Sequence, residues 1–318
     1  MDLLADLSNF WVKPPLAALI IFLMSGWVFC PLLALWARLA EASSRRVFYN
    51  NLSRQLNQAA LVAAIPFFLG LGVLAAFQFS KSGLVNLPGG ISALPGLALF
   101  AAFFLLQITT LLTWKKLRKA APTQLLLLLA AAVSALGAAA LLLSSLVSWP
   151  ERAGLDLAQE AARYSLFNVD YRAAWAFTGS LALMGLTLAA AWSACWLFLR
   201  RNRDDFGRDY YNFAVGRGSA LAFTAGIVSL LAYGALLGLT LAGYFSLPQY
   251  GLPSLELPLA VVALHVVCCA LWFLAARAAA PLRHKAALWL SLPLWAGALA
   301  LACQVAHSYY LAAIAQKL

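Results

Sequence analysis

Eight apolar runs decide what this chain can fold into. They lie at roughly 14–38, 57–79, 94–114, 123–148, 173–199, 217–246, 257–276 and 286–313. Each is long enough for the roughly 20-residue helix that crosses a hydrocarbon core. They are rich in Leu and Ala without strict alternation, so they read as helices rather than barrel strands. Of the 318 residues, 64% are hydrophobic and 10% are charged. A soluble domain is about a quarter charged, so the expected class is an all-α polytopic membrane protein in contact with the lipid bilayer.

The formal charge of +11 does not point to nucleic acid. The basic residues form four short clusters, after the first, third, fifth and seventh runs. These hold 16 of the 22 Lys and Arg, from Arg38, Arg45, Arg46 and Arg54 to Arg277, Arg283 and Lys285. If all eight runs span, the four clusters share one side. The positive-inside rule then makes that side cytoplasmic and places both termini outside, in the periplasm of a bacterial inner membrane. Asp2 and Asp6 stand where a secretory signal would carry positive charge, so no such signal is expected. Of the outer linkers, 80–93 carries a Pro88-Gly89-Gly90 turn signal, and Glu151 to Tyr164 reads as a short interfacial helix.

A short pattern occurs twice. Arg46-Val47-Phe48-Tyr49-Asn50 returns as Arg208-Asp209-Tyr210-Tyr211-Asn212, 162 residues later. The same offset carries Lys115 onto Arg277. A tandem duplication is the simplest reading. It gives two four-helix transmembrane repeats, 1–162 and 163–318, each with an even number of helices and hence parallel to each other. Arg46 and Arg208 are expected to meet headgroup phosphate or a helix C-terminus.

Charge inside the spans is nearly absent. No Asp or Glu falls well within a run, which disfavours a proton-coupled carrier, while a small-solute transporter stays as a third class that the dry helices and parallel repeats disfavour. The five cysteines lie in apolar runs, where Cys packs as a small hydrophobe. Two histidines, His265 and His307, lie inside the last two runs. His265 falls about nine residues, roughly 14 Å, below the outer edge, and His307 about seven residues, roughly 10 Å. Facing one another they would supply axial ligands for a haem b iron, or contact a quinone. Two satisfied core histidines are the other reading, and both stay open. Gln304, Tyr309 and Trp149 are the further candidates for cofactor contact near the outer face. Helix–helix hydrogen bonding is the expected use of Gln107, Thr109, Thr110 and Gln304. Trp149, Trp175, Tyr244, Tyr250, Tyr309 and Tyr310 read as an interfacial aromatic belt.

Residues 1–150 resemble subunit I of the cytochrome bd-type quinol oxidases. The likeness lies in Met1-Asp2-Leu3-Leu4, in Phe77-Gln78-Phe79, in Trp114 after the third run and in Val147-Ser148-Trp149-Pro150. Ala76 stands where that family has a glutamate, and no histidine precedes His265, so the oxygen-reducing site does not carry over. What the resemblance implies is the four-helix module, its orientation and dealings with quinone or quinol. The expected function is a membrane subunit of a respiratory electron-transfer complex. Its partners would be other membrane subunits and a periplasmic cytochrome c or iron–sulfur protein. A non-redox anchoring subunit is the alternative.

Overall fold

The computed structural model describes residues 13–42, 46–82, 94–117, 120–147, 172–202, 206–242 and 256–315. Within them lie eight α-helices and no strand. They are α1 (Lys13–Leu39), α2 (Arg46–Ser82), α3 (Leu94–Leu117), α4 (Ala121–Val147), α5 (Arg172–Arg200), α6 (Gly207–Leu241), α7 (Glu256–Arg277) and α8 (Lys285–Ala315). Two 3-10 turns, Ala40–Ala42 and Pro281–Arg283, follow α1 and α7. Among the described residues, seven helices are long and apolar enough to cross a membrane: α1 and α3 to α8. The interfacial helix expected at Glu151 to Tyr164 and the turn at Pro88-Gly89-Gly90 lie outside the described residues.

Helix ends follow local chemistry. Basic residues close several helices, Arg38 on α1, Lys115 and Lys116 on α3, Arg200 on α5 and Arg277 on α7. There they face the partial negative charge of the last carbonyls. Prolines 31, 66 and 293 sit inside α1, α2 and α8, as membrane helices tolerate. Two helices begin earlier than their apolar runs. α2 starts at Arg46, eleven residues before the expected 57, and α6 at Gly207, ten before 217. These openings are helical because they bury a stripe despite their polarity: Tyr49, Asn50, Leu52, Ser53 and Leu56 on α2, and Tyr210, Tyr211, Phe213 and Ala214 on α6.

The chain forms two compact units, Leu23–Glu160 and Ala161–Leu318 with Met1–Phe22. In the first, α3 and α4 make a tight hairpin, closed by the Ala120 N–H donating to the Leu117 carbonyl at 2.9 Å. Small residues let the two backbones approach. A Cβ at Gly137 would sit 2.9 Å from Leu99 Cδ1, and one at Gly96 3.0 Å from Leu142 Cγ. α2 approaches α3 less closely than α4 does. In the second unit α5, α6, α7 and α8 each pack on the next, and α8 returns to α5, enclosing a common core. Small residues again set the spacing: a Cβ at Gly218 would lie 3.0 Å from Ala194 Cβ, and one at Gly226 2.9 Å from Cys269 Sγ.

Candidate functional site

The core of the second unit holds a hydrogen-bonded polar cluster centred on His265. His265 of α7 is fully buried. Its Nδ1 lies 2.9 Å from the Val261 carbonyl, one turn back on its own helix, and its Nε2 lies 3.3 Å from Ser229 Oγ on α6. A carbonyl only accepts, so the Nδ1 contact fixes the proton there and leaves Nε2 to accept from Ser229. Tyr233 lies near parallel to the imidazole at 6.0 Å, and Trp295 of α8 packs against it at 4.5 Å. The neighbouring indoles are bonded too. Trp272 Nε1 donates to Ser291 Oγ at 2.9 Å, and Trp295 Nε1 to the Met184 carbonyl at 3.0 Å. All five cysteines are free thiols and buried.

The structure does not bring His265 and His307 together. α7 and α8 are neighbours, but the α8 residue against His265 is Trp295. His307 is twelve residues further along α8, about 18 Å at the rise of a helix. The estimate from sequence assumed that α7 and α8 end at one plane, and the register set by Trp272–Ser291 and His265–Trp295 shows α8 running well past the start of α7. Both ring nitrogens of His265 are engaged and its faces are covered, so the residues present do not fit a bis-histidine haem. Gln304 is buried on α8. The side chains of His307, Tyr309, Trp175 and Tyr310, and all of Trp149, Tyr244 and Tyr250, lie outside the described residues.

The first unit holds a polar arrangement of another kind. At the end of α1, buried Arg38 is ion-paired with Glu41 of the following turn. The same carboxylate accepts from Arg46 Nε at 3.3 Å and from Asn50 Nδ2 at 3.4 Å. Arg46 therefore meets a carboxylate beyond the end of α1, while its side chain remains 77% exposed. Asn50 Oδ1 accepts from Trp114 Nε1 at 3.0 Å, joining the start of α2 to the end of α3. The second copy of the pattern does related work: Asn212 Oδ1 accepts from the Leu282 N–H at 3.4 Å, joining the start of α6 to the turn after α7.

Above this anchor two buried stripes run along α2 and α3. On α2 they are Asn50, Ser53, Asn57, Ala60, Ala64 and Phe67; on α3, Trp114, Thr110, Gln107, Phe103, Phe100 and Gly96. Both step by three and four residues, the spacing of a single helix face. Their upper halves are apolar. Trp27 of α1 packs on Phe67, Phe100 and Phe103 at 5.2, 4.8 and 5.6 Å. Their lower halves are polar, and here the expectation of helix–helix hydrogen bonds fails for α3. Thr110 donates to the Leu106 carbonyl of its own helix, and Thr109 is exposed. Gln107 and, on α2, Asn57 are fully buried, and neither oxygen nor nitrogen of either amide has a partner. Trp27 Nε1 and the amide of Gln124 are likewise buried without one. A buried polar group left unbonded costs about 1–3 kcal/mol. Two such amides at mid-helix are therefore an expensive feature. The sequence signal was available in part, since Gln107 and Thr110 share a helix face with Trp114. Asn57 was hidden by its place at the first residue of an apolar run.

Neither protein-family models, curated proteins nor solved structures give a match to this chain.

Proposed function

We propose that this protein is an integral membrane subunit of a respiratory electron-transfer complex. It handles quinone or quinol within the bilayer, with electrons passing to or from a periplasmic cytochrome c or iron–sulfur partner. In this reading α2 spans with the other seven helices, the halves 1–162 and 163–318 are tandem parallel bundles, and both termini face the periplasm of a bacterial inner membrane. The observation that carries it is the chemistry at mid-depth. Neutral hydrogen-bonding amides are buried beside indole and phenyl rings in apolar helices, and among the described residues the acidic side chains lie only at helix ends. Such a setting suits a neutral, lipid-soluble, planar carrier, whereas ion or proton paths need charge in the spans. The resemblance of residues 1–150 to the quinol oxidase subunit supports the same reading.

A non-redox anchoring subunit is the second reading. It is favoured by His265, whose hydrogen bonds to Val261 and Ser229 are those of a structural side chain. The experiment is isolation of the native complex by a tag on this subunit, followed by quinol-driven reduction of the co-purifying partner. Reduction that stops when this subunit is deleted supports the redox reading; a co-purifying partner reduced at an undiminished rate without it leaves the anchoring reading.

A further inference from the structure

Two contacts bracket Asn57 and Gln107. Asn50 is bonded to Trp114 at the lower end of the α2–α3 pair, and Phe67 packs on Phe100 at 5.9 Å at the upper end. Residue numbers rise on α2 as they fall on α3, so the helices are antiparallel. Asn57 lies seven residues beyond Asn50, and Gln107 seven before Trp114. A step of seven is about two turns and returns to the same helix face. The two amides are therefore level by the Asn50–Trp114 bond and within about one helical turn of level by the Phe67–Phe100 contact. Neither has a hydrogen-bond partner, so they are not bonded to each other or to any neighbour. The unmet hydrogen-bonding capacity of both amides thus gathers between α2 and α3, which approach each other less closely than α3 and α4 do.

We infer that the unbonded amides of Asn57 and Gln107 form a binding site for a quinone headgroup. This rests on the function proposed above and gives it a place. A carboxamide presents both donors and an acceptor. It can donate to a quinone carbonyl and accept from a quinol hydroxyl, without changing charge in either redox state. One turn above, Phe103 and Trp27 form an aromatic wall, both fully buried. The Trp27 indole N–H is a third unpartnered donor on it. The wall continues outward. Phe100 touches Trp27 on one side and stacks on Phe68 at 6.1 Å and 13° on the other, and Phe68 is 57% exposed. A row of ring contacts thus runs from the apolar surface of α2 to the turn above the two amides. A planar, lipid-soluble molecule with oxygens at its ends suits both the rings and the amides.

The test uses the full chain in lipid nanodiscs, with quenching of tryptophan fluorescence by decylubiquinone and by menadione. The wild-type protein is expected to show saturable binding. Asn57→Leu and Gln107→Leu should each weaken it about tenfold or more, while melting at the same or a higher temperature, since each removes an unbonded amide. An azido-substituted quinone, photolysed on the wild-type protein, should label peptides of α2 and α3, a readout that needs no variant. Unchanged affinity in both variants, or label confined elsewhere, overturns the site and leaves the quinone reading standing. Variants that gain stability yet bind unchanged show that the amides hold only water, which also overturns it. No saturable binding to the wild-type protein overturns the site and the quinone reading together.

Discussion

Ser229 and His265 are hydrogen-bonded across α6 and α7 at 3.3 Å. Under the proposed tandem repeat the corresponding positions, 162 residues earlier, are Phe67 and Phe103, which both pack on Trp27. One pair of helix positions is thus a buried polar bond in one unit and an aromatic cluster in the other. Within the first unit the unbonded amides Asn57 and Gln107 lie a turn or more along α2 and α3 from Phe67 and Phe103.

The bond predicts a measured coupling. Hydrogen bonds between membrane helices contribute about 0.6 kcal/mol on average, so Ser229→Ala should cost that order. His265→Ala should cost about 2–4 kcal/mol, because it also empties the space between Tyr233 and Trp295. The double variant should be less destabilised than the sum. Unfolding in mixed micelles checks this, and strict additivity would show that the two side chains do not interact.

At the other end of the first unit, Glu41 holds buried Arg38. Glu41→Gln leaves that guanidinium without its counter-charge and should destabilise the unit by about 3 kcal/mol. Arg46→Gln should cost under about 1 kcal/mol, since its side chain is mostly exposed. Equal losses in the two variants would contradict the assignment of Arg38 as the main partner.

Asn50→Leu removes the acceptor of the Trp114 indole N–H and a donor to Glu41. It should cost about 1–3 kcal/mol, the cost of a buried donor left unbonded, and Trp114→Phe should cost less because no donor is stranded. Thermal unfolding ranks the two. The contrast with Asn57→Leu, which strands nothing, is internal to one helix.

Orientation is tested by reporter fusions. Fusions at Lys119 and Arg203 should read cytoplasmic, and those at Gly89 and Gln159 periplasmic. The reverse signs would reject the inside-positive assignment and with it the periplasmic partner.

The eight helices were legible because apolar runs of membrane length leave little else to form. The polar openings of α2 and α6 were not. Arg46 to Asn57 is not apolar, and its burial rests on hydrogen bonds to α1 and α3, such as Ser53 Oγ to the Ala34 carbonyl at 2.7 Å. His265 was legible as a buried polar residue, but its neighbour was not, since depth counted from run ends cannot give the register between α7 and α8. The Asn57–Gln107 level needed the Asn50–Trp114 bond, which fixes how far α2 and α3 are slid along each other.

Quinone carried by the protein itself is the most direct measurement. The subunit is purified from its native membrane in mild detergent, extracted with organic solvent, and its quinone counted against protein and against residual lipid. Roughly one quinone per chain, enriched over the membrane's own quinone-to-lipid ratio, is the expected result. Quinone present only in proportion to residual lipid would contradict a role in quinone handling.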